Sequence, residues 1–204
     1  MPKTTQRLKN RTALITGASR GIGLAISRKF AQQGCNLIIT GRDENSLQKA
    51  SRELLRLKIR VLAIGCDIRD PHAVNTLFRS IRREFPRLDI LVNNAGIAHA
   101  NLPIDRLPFA TWKDVFATNV DGTFLVTQAA LRMMRKGATV VLSGLRLDRD
   151  QVRATFQLIV RLSTQEVLEI RVGPFRTSQV VGPRVRGGVS APRSTATTER
   201  GSAR

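Results

Sequence analysis

Three observations predict an α/β fold for residues 8–142, built on a doubly wound parallel sheet of about five strands. Five short apolar runs recur along this stretch. Helix-length segments, each with one apolar stripe, separate them. A glycine-rich loop lies directly between the first run and the first of those segments. Near-continuous apolar runs suit strands buried on both faces of a parallel sheet, and the alternating rhythm calls for right-handed crossover helices.

The first run, TALIT at 12–16, enters the loop GASRGIG at 17–23. Ile22, Ala25, Ile26 and Phe30 then fall on one face at helical spacing. Runs at 36–40 and 60–64 flank a second stripe of Leu47, Ala50, Leu54 and Leu57. A third stripe, Val74, Leu77, Phe78, Ile81 and Phe85, is opened by Asp70 as N-cap, with Pro71 at the first helical position, where a missing N–H costs nothing. The fourth run follows at 89–92. A long helical segment over about 109–134 precedes the fifth, at 138–142.

With 204 residues and 42% hydrophobic content, the chain can hold one domain with a sizeable core, plus a tail. No apolar stretch approaches the roughly eighteen residues needed to span a bilayer. The opening MPKTTQRLKN is polar and basic without an apolar h-region, so no secretory signal is expected. Cys35 and Cys66 sit in apolar contexts without metal-ligand spacing. This predicts no metal site and two reduced, buried thiols in a cytoplasmic protein.

The net charge of +19 is unevenly made: residues 1–143 carry 23 Lys+Arg against 10 Asp+Glu, and residues 144–204 carry 11 against 5. All seven lysines lie at or before Lys136, so the basic residues of the tail are all arginine. Such a surplus favours polyanions. It is nevertheless spread along the chain without interleaved aromatics and without a helix-turn-helix or zinc pattern, and specific nucleic-acid binding is not expected. Past residue 142 the βα rhythm stops. Segments 156–162 and 167–172 read equally as short helix or strand, and from 173 onward Gly, Pro, Ser, Thr and Arg dominate. The chain therefore divides into a domain over 8–142, a stretch of weak secondary structure over 143–181, and a basic tail over 182–204 that is expected to be disordered.

A loop that leaves a strand and opens a helix must turn sharply, admit a pyrophosphate close to its backbone, and pack the new helix against the sheet. Gly17, Gly21 and Gly23 meet those demands, with Ser19, Arg20 and Ile22 between them offering main-chain N–H groups. The pattern T-G-x-x-x-G-x-G at 16–23, N-N-A-G at 93–96 and Asn119 within T-N-V-D-G-T-F together resemble the classical short-chain dehydrogenases/reductases over about residues 8–142. That resemblance implies a Rossmann-like sheet, an NAD(H) or NADP(H) cofactor, and hydride transfer between the nicotinamide and a small-molecule alcohol or ketone. It also implies that Asn93, Ala95 and Gly96 line the adenosine and ribose side of the cofactor. Asp67, with Ile68 beside it, would accept from the adenine amino group; a turn or capping aspartate is the alternative reading of Asp67.

Charge decides which cofactor is expected. A ribose without a 2′-phosphate is usually read by a carboxylate at the end of the second strand. Here that position is Thr40, followed by Gly41 and Arg42, with Arg20 in the glycine loop. Two arginines suit a phosphate dianion, and Asp43 reads as the cap of the next helix, so NADP(H) is expected over NAD(H).

The family's proton transfer uses a serine just after the fifth strand, a Tyr-x-x-x-Lys pair on the following helix, and an asparagine that holds a relay water. Asn119 matches the asparagine. No tyrosine occurs in the chain and no lysine follows Lys136. Leu145 stands where the serine belongs, and Ser143 comes two residues early and reads as a turn serine. His72 and His99 offer no substitute. The expectation is a chain that binds nucleotide but catalyses poorly or not at all, with a reading-frame shift or aberrant end near Leu142. A weak likeness of IRVGPFRT at 170–177 to the family's sixth strand points instead to a lost internal segment. A non-catalytic nucleotide-binding regulator or scaffold, and a basic nucleic-acid-binding module, are the other classes open. The family's homo-oligomeric pairing is not expected here, since its surface includes the helix that would bear the tyrosine and lysine. Without a sixth strand, the fifth would be left as an open sheet edge.

Overall fold

A computed structural model describes residues 6–98, 103–149, 152–161 and 166–171. Strand β1 (Thr12–Thr16) leads through the glycine loop into α1 (Gly21–Gln32), then β2 (Asn36–Gly41), α2 (Glu44–Leu55), β3 (Val61–Gly65), α3 (Pro71–Glu84) and β4 (Leu88–Asn93). A continuous helical run follows, made of α4 (Phe109–Phe116), a π-helical turn (Ala117–Gly122) and α5 (Thr123–Leu131). Strands β5 (Met134–Arg149), β6 (Val152–Arg161) and β7 (Glu166–Arg171) complete the described chain.

The five expected strands are mutually parallel, in the order β3-β2-β1-β4-β5. From β1 the chain winds outward through β2 and β3, then returns to the other side of β1 with β4. Loops leaving the carboxyl ends of β1 and β4 therefore part in opposite directions and open a crevice, the switch point at which such sheets bind ligands. The two faces of the sheet carry separate cores. Leu14, Ile38 and Leu91 pack with Phe78 and Ile81 of α3 and Val126 of α5 on one side. Ile15, Leu37 and Ile39 pack with Ala31 of α1 and Leu47 and Leu54 of α2 on the other.

Helix α3 buries the stripe expected of it, and α2 does so up to Leu54, beyond which Leu57 is exposed. Helix α1 does not. Its buried face is Gly23, Ser27 and Ala31, whereas Ala25 is exposed and Ile22 is 64% exposed. Small residues four apart let the helix axis approach the sheet, and the larger Ile26 and Phe30 pack only at the flank. The helical segment expected over 109–134 ends at Leu131, because Met134 already pairs with Leu88, ahead of a register shift between the Leu88–Met134 and Ile90–Thr139 pairs.

The sheet also continues past β5. The segments 156–162 and 167–172, open between helix and strand in the sequence, fall largely within strands β6 and β7, and β6 pairs antiparallel with β5, as β7 does with β6. Two residues separate Arg149 of β5 from Val152 of β6, too few for a helical crossover. So β5 is not the open edge expected above, and it runs through position 142 to Arg149. The remaining tail, including 182–204, lies outside the described residues.

Phe78 is 1% exposed between the sheet and α5. Phe78→Ala should lower unfolding free energy by about 3–5 kcal/mol in urea titration, whereas Ile22→Ala should change it by less than about 0.5 kcal/mol. Similar losses at the two positions would contradict this account of the α1 face.

Candidate functional site

Side-chain hydrogen bonds join the carboxyl ends of β1 and β4. Thr16 Oγ1 accepts from the main-chain N–H groups of Asn94 (3.0 Å) and Ala95 (2.9 Å). Asn94 Nδ2 donates in return to the carbonyls of Thr16 (3.0 Å) and Gly17 (3.1 Å). This close approach dictates the glycines. Gly17 has φ +63°, and a Cβ on it would stand 2.8 Å from Ala95 Cα; a Cβ on Gly23 would overlap the Gly17 carbonyl oxygen. Gly21, at φ +57°, opens onto free space.

Helix α1 begins here without a side-chain cap and without an acidic residue in its first turn. Helices α2 and α3 are both capped by aspartates, Asp43 accepting from Ser46 N at 2.9 Å and Asp70 from His72 N at 2.8 Å. The unsatisfied N–H groups and positive dipole end of α1 instead border an open cleft, which is an arrangement made for an anion. The cleft has a volume of about 380 Å³ and is lined by residues from the ends of β1, β2, β3 and β4 and from the π-helical turn.

Its charged groups are Arg20, Arg42, Asp43 and Asp67. The two carboxylates are engaged in local structure. Capping bonds from Ser46, and Arg20 nearby, hold Asp43 below the ordinary aspartate range. Asp67 is held low chiefly by the Arg69 side chain, with Arg42 adding to the effect. Arg69 donates to Asp67 Oδ1 from its main-chain N and Nε, both at 3.0 Å, and to Oδ2 from Nε at 3.0 Å and Nη2 at 2.6 Å. The same guanidinium lies 3.8 Å from Asp114 of α4. Thr40 donates its hydroxyl proton to the Ile64 carbonyl at 2.7 Å, and no carboxylate stands at the end of β2. Burial pushes the thiol of Cys66, at the floor of the cleft, up to about 11, and that of Cys35 up to about 12, so both are neutral at physiological pH.

Of the residues expected in a cofactor site, Gly17, Ser19, Arg20, Ile22, Arg42, Asp67, Ile68, Ala95 and Gly96 line this one cleft. Gly21 and Gly23 shape the loop from outside the lining. Asn93 turns away, its Nδ2 donating to Thr127 Oγ1 at 2.9 Å, and Asn94 takes the inward place. Asn119 binds Ile97 with both ends of its amide, Oδ1 accepting from the Ile97 N–H and Nδ2 donating to the Ile97 carbonyl, each at 2.9 Å. It thereby pins the loop after β4 to the helix. The cleft further includes Ser46, Ile97 and Thr118, which no sequence signal singled out; Asn94 was visible only as the second asparagine of N-N-A-G.

A family model described as short chain dehydrogenase matches residues 11–143. The chain belongs to the short-chain dehydrogenase family. It is 39% identical over 134 residues to sulfoacetaldehyde reductase 2 of Chromohalobacter salexigens, covering 64% of this chain and 53% of that protein. It is 38% identical over 128 residues to the 3-oxoacyl-acyl-carrier-protein reductase FabG of Escherichia coli, covering 63% and 51%. The chain thus spans about half the length of the curated relatives it matches. A Burkholderia cenocepacia short-chain dehydrogenase solved in complex with NADP superimposes with a TM-score of 0.63 at 36% identity, over 67% of this chain and 56% of that one. An NAD+-bound xylitol dehydrogenase superimposes with a TM-score of 0.61 at 29% identity, over 62% and 49%. The short-chain dehydrogenase fold binds nicotinamide dinucleotides, and the glycine cradle and uncapped α1 of this chain fit such a group.

From β5 onward this member of the short-chain dehydrogenase family departs from the motif pattern. Ser143 lies within β5, in register with Gln157 of β6. His72 sits in the exposed first turn of α3, with its N–H donated to Asp70, and His99 lies outside the described residues. Among the described residues no group of three His, Cys, Asp or Glu could hold a metal, and no helix is long and apolar enough to cross a membrane.

The stability contributed by Asp43 and Asp67 should be complete above the ordinary aspartate range and lost as pH falls through their lowered folded values. Arg69→Ala should move the Asp67 titration back up, toward 3.8, while leaving that of Asp43 in place. Carboxyl-carbon NMR through an acid titration reads both shifts. An unmoved Asp67 would mean that Arg69 is not what holds it.

Proposed function

We propose that this chain binds NADP(H) in preference to NAD(H), and that these 204 residues constitute a nucleotide-binding unit without hydride-transfer activity of their own. The observation that carries the reading is the uncapped start of α1 beside Arg20 and Arg42, with both neighbouring carboxylates already engaged. In this reading the N–H groups of the Gly17–Gly23 loop, with Ser19 and Ile22, hold the pyrophosphate. Arg20 and Arg42 clasp the 2′-phosphate, and Asp67 and Ile68 border the adenine. Ala95 and Gly96 support the ribose side, with Asn93 bracing the end of β4 from behind.

A bound nicotinamide would supply or accept hydride against an alcohol or ketone carbon, the parent activity of the family. Proton transfer at the substrate oxygen needs a positioned acid, worth about 10²–10⁴ in rate. Asn119 takes the place of the relay asparagine, but the chain contains no tyrosine, and no lysine follows Lys136. Two free, neutral thiols suit a reducing compartment such as the cytoplasm.

Binding is measured by the rise in melting temperature with added nucleotide. NADPH should raise it more than NADH at equal concentration, and the difference should widen as pH rises through about 6, where a phosphate monoester becomes a dianion. Arg42→Ala should weaken NADPH binding by about ten- to a hundredfold, the range of a lost charge-assisted hydrogen bond, and leave NADH binding nearly unchanged. Equal affinities in the wild type, or a preference that survives Arg42→Ala, would defeat the assignment. Turnover of ketones by this chain would defeat the inactivity.

A further inference from the structure

A second concavity, of about 430 Å³, lies at the other end of the sheet, against the amino ends of the strands. Thr12 opens β1, Asn36 opens β2, and the two are register partners. By strand alternation they share a face with Leu14 and Ile38, the side on which α3 packs. Phe85, at the end of α3, and Arg87, in the turn after it, also line the concavity. Arg60, just before β3, and Arg135, near the start of β5, complete its charged wall. No carboxylate lines it.

The polar groups here are held in place with donors to spare. Thr12 is 6% exposed, and its hydroxyl bonds to no described residue. That oxygen is not among the fully enclosed unpaired atoms, so it opens onto the concavity that Thr12 lines. A buried hydroxyl needs a partner, and here only an occupant of the concavity can be one. Asn36 Oδ1 accepts from the Arg60 N–H at 3.1 Å, which leaves Nδ2 as the offered end of the amide. The Arg60 guanidinium lies 4.4 Å over the Phe85 ring, and its Nη2 donates to the Glu84 carbonyl at 2.7 Å. Its Nε and Nη1 have no described partner. Arg135 is exposed and forms no ion pair among the described residues. Two carboxylates stand near. Glu84 lies 3.5 Å from Arg60, and Asp89 is held by Arg11 and the Thr12 N–H, with Arg87 at 3.4 Å. Four arginines against two carboxylates leave this end of the sheet positive.

We propose that this concavity is a second anion site, which binds a phosphate group, either the free ion or a small phosphate monoester. The Thr12 hydroxyl and the Asn36 amide are its fixed donors, and Arg60 and Arg135 supply the charge-assisted contacts. The test is an NMR titration of the full chain with inorganic phosphate, and with sodium chloride at equal ionic strength. The Asn36 side-chain amide and the Arg60 Nε–H report on the site. Phosphate should shift both signals to saturation, and chloride should not. Arg135→Gln should weaken phosphate binding about tenfold or more, the range of a lost charge-assisted hydrogen bond. Thr12→Val should weaken it about fivefold, the worth of one neutral hydrogen bond, and Thr12→Ser should keep it. Arg42→Ala, in the cleft at the far end of the sheet, should leave this response unchanged, so the proposal stands or falls apart from nucleotide binding. Glycerol phosphate, titrated alongside, identifies the source: binding tighter than phosphate supports a monoester, and weaker binding supports the free ion. Shifts that chloride reproduces, shifts that do not saturate, or an affinity that survives either Arg135→Gln or Thr12→Val would overturn the proposal.

Discussion

Four hydrogen bonds between Thr16, Gly17, Asn94 and Ala95 set the geometry on which the rest of the site depends. At the switch point of the sheet the loops after β1 and β4 diverge, and nothing in strand pairing would keep them in contact. The Thr16 hydroxyl and the Asn94 amide do so, each satisfying main-chain groups that the ends of the strands leave unpaired. Once the backbones lie that close, Gly17 and Gly23 can carry no side chain, and α1 must start where it does. Asn119 repeats the device one step further along, its amide paired with both main-chain groups of Ile97. The cleft is thus held by side chains that complete backbone hydrogen bonding, and a ligand meets main-chain N–H groups already oriented.

Charge is distributed to the same effect. At the opposite end of the sheet, Asp89 is 8% exposed and accepts from Arg11 and from Thr12 N, both at 2.9 Å, with Arg87 at 3.4 Å. At the cleft, Asp43 caps α2 and Asp67 is bound by Arg69. Each carboxylate has a structural partner, so the cleft keeps the dipole of α1 together with Arg20 and Arg42. The large positive charge of the chain matters less here than this allocation, because exposed charges are screened within about 10 Å at ordinary salt.

The strands were legible because two-sided burial forces continuous apolar runs, and all five were found at the expected places. Helix α1 was misread because periodicity follows large apolar residues, whereas close approach to the sheet selects Gly23, Ser27 and Ala31. Adjacent asparagines at a strand end point to opposite faces, and only the register with β1 shows that Asn94 lines the cleft while Asn93 bonds Thr127. Asp43 could be read as a cap from its place before a helix. Arg69 could not be foreseen as the partner of Asp67, nor Thr118 as part of the cleft lining, since the first depends on a turn two residues long and the second on a π-helical turn that leaves no mark in hydrophobic pattern.

The place of the cleft follows from the topology. Every residue lining the cleft falls between Gly17 and Thr118, within the part of the chain where parallel strands and crossover helices alternate. The chemistry of the family is built later, on a strand end and the helix that crosses over from it. Here β5 runs into an antiparallel partner. An antiparallel strand hydrogen-bonds along the side of β5 and stays in the plane of the sheet, whereas a crossover helix would lie over one face and present side chains to the cleft. Strand β6 therefore covers the edge of β5 within the plane of the sheet.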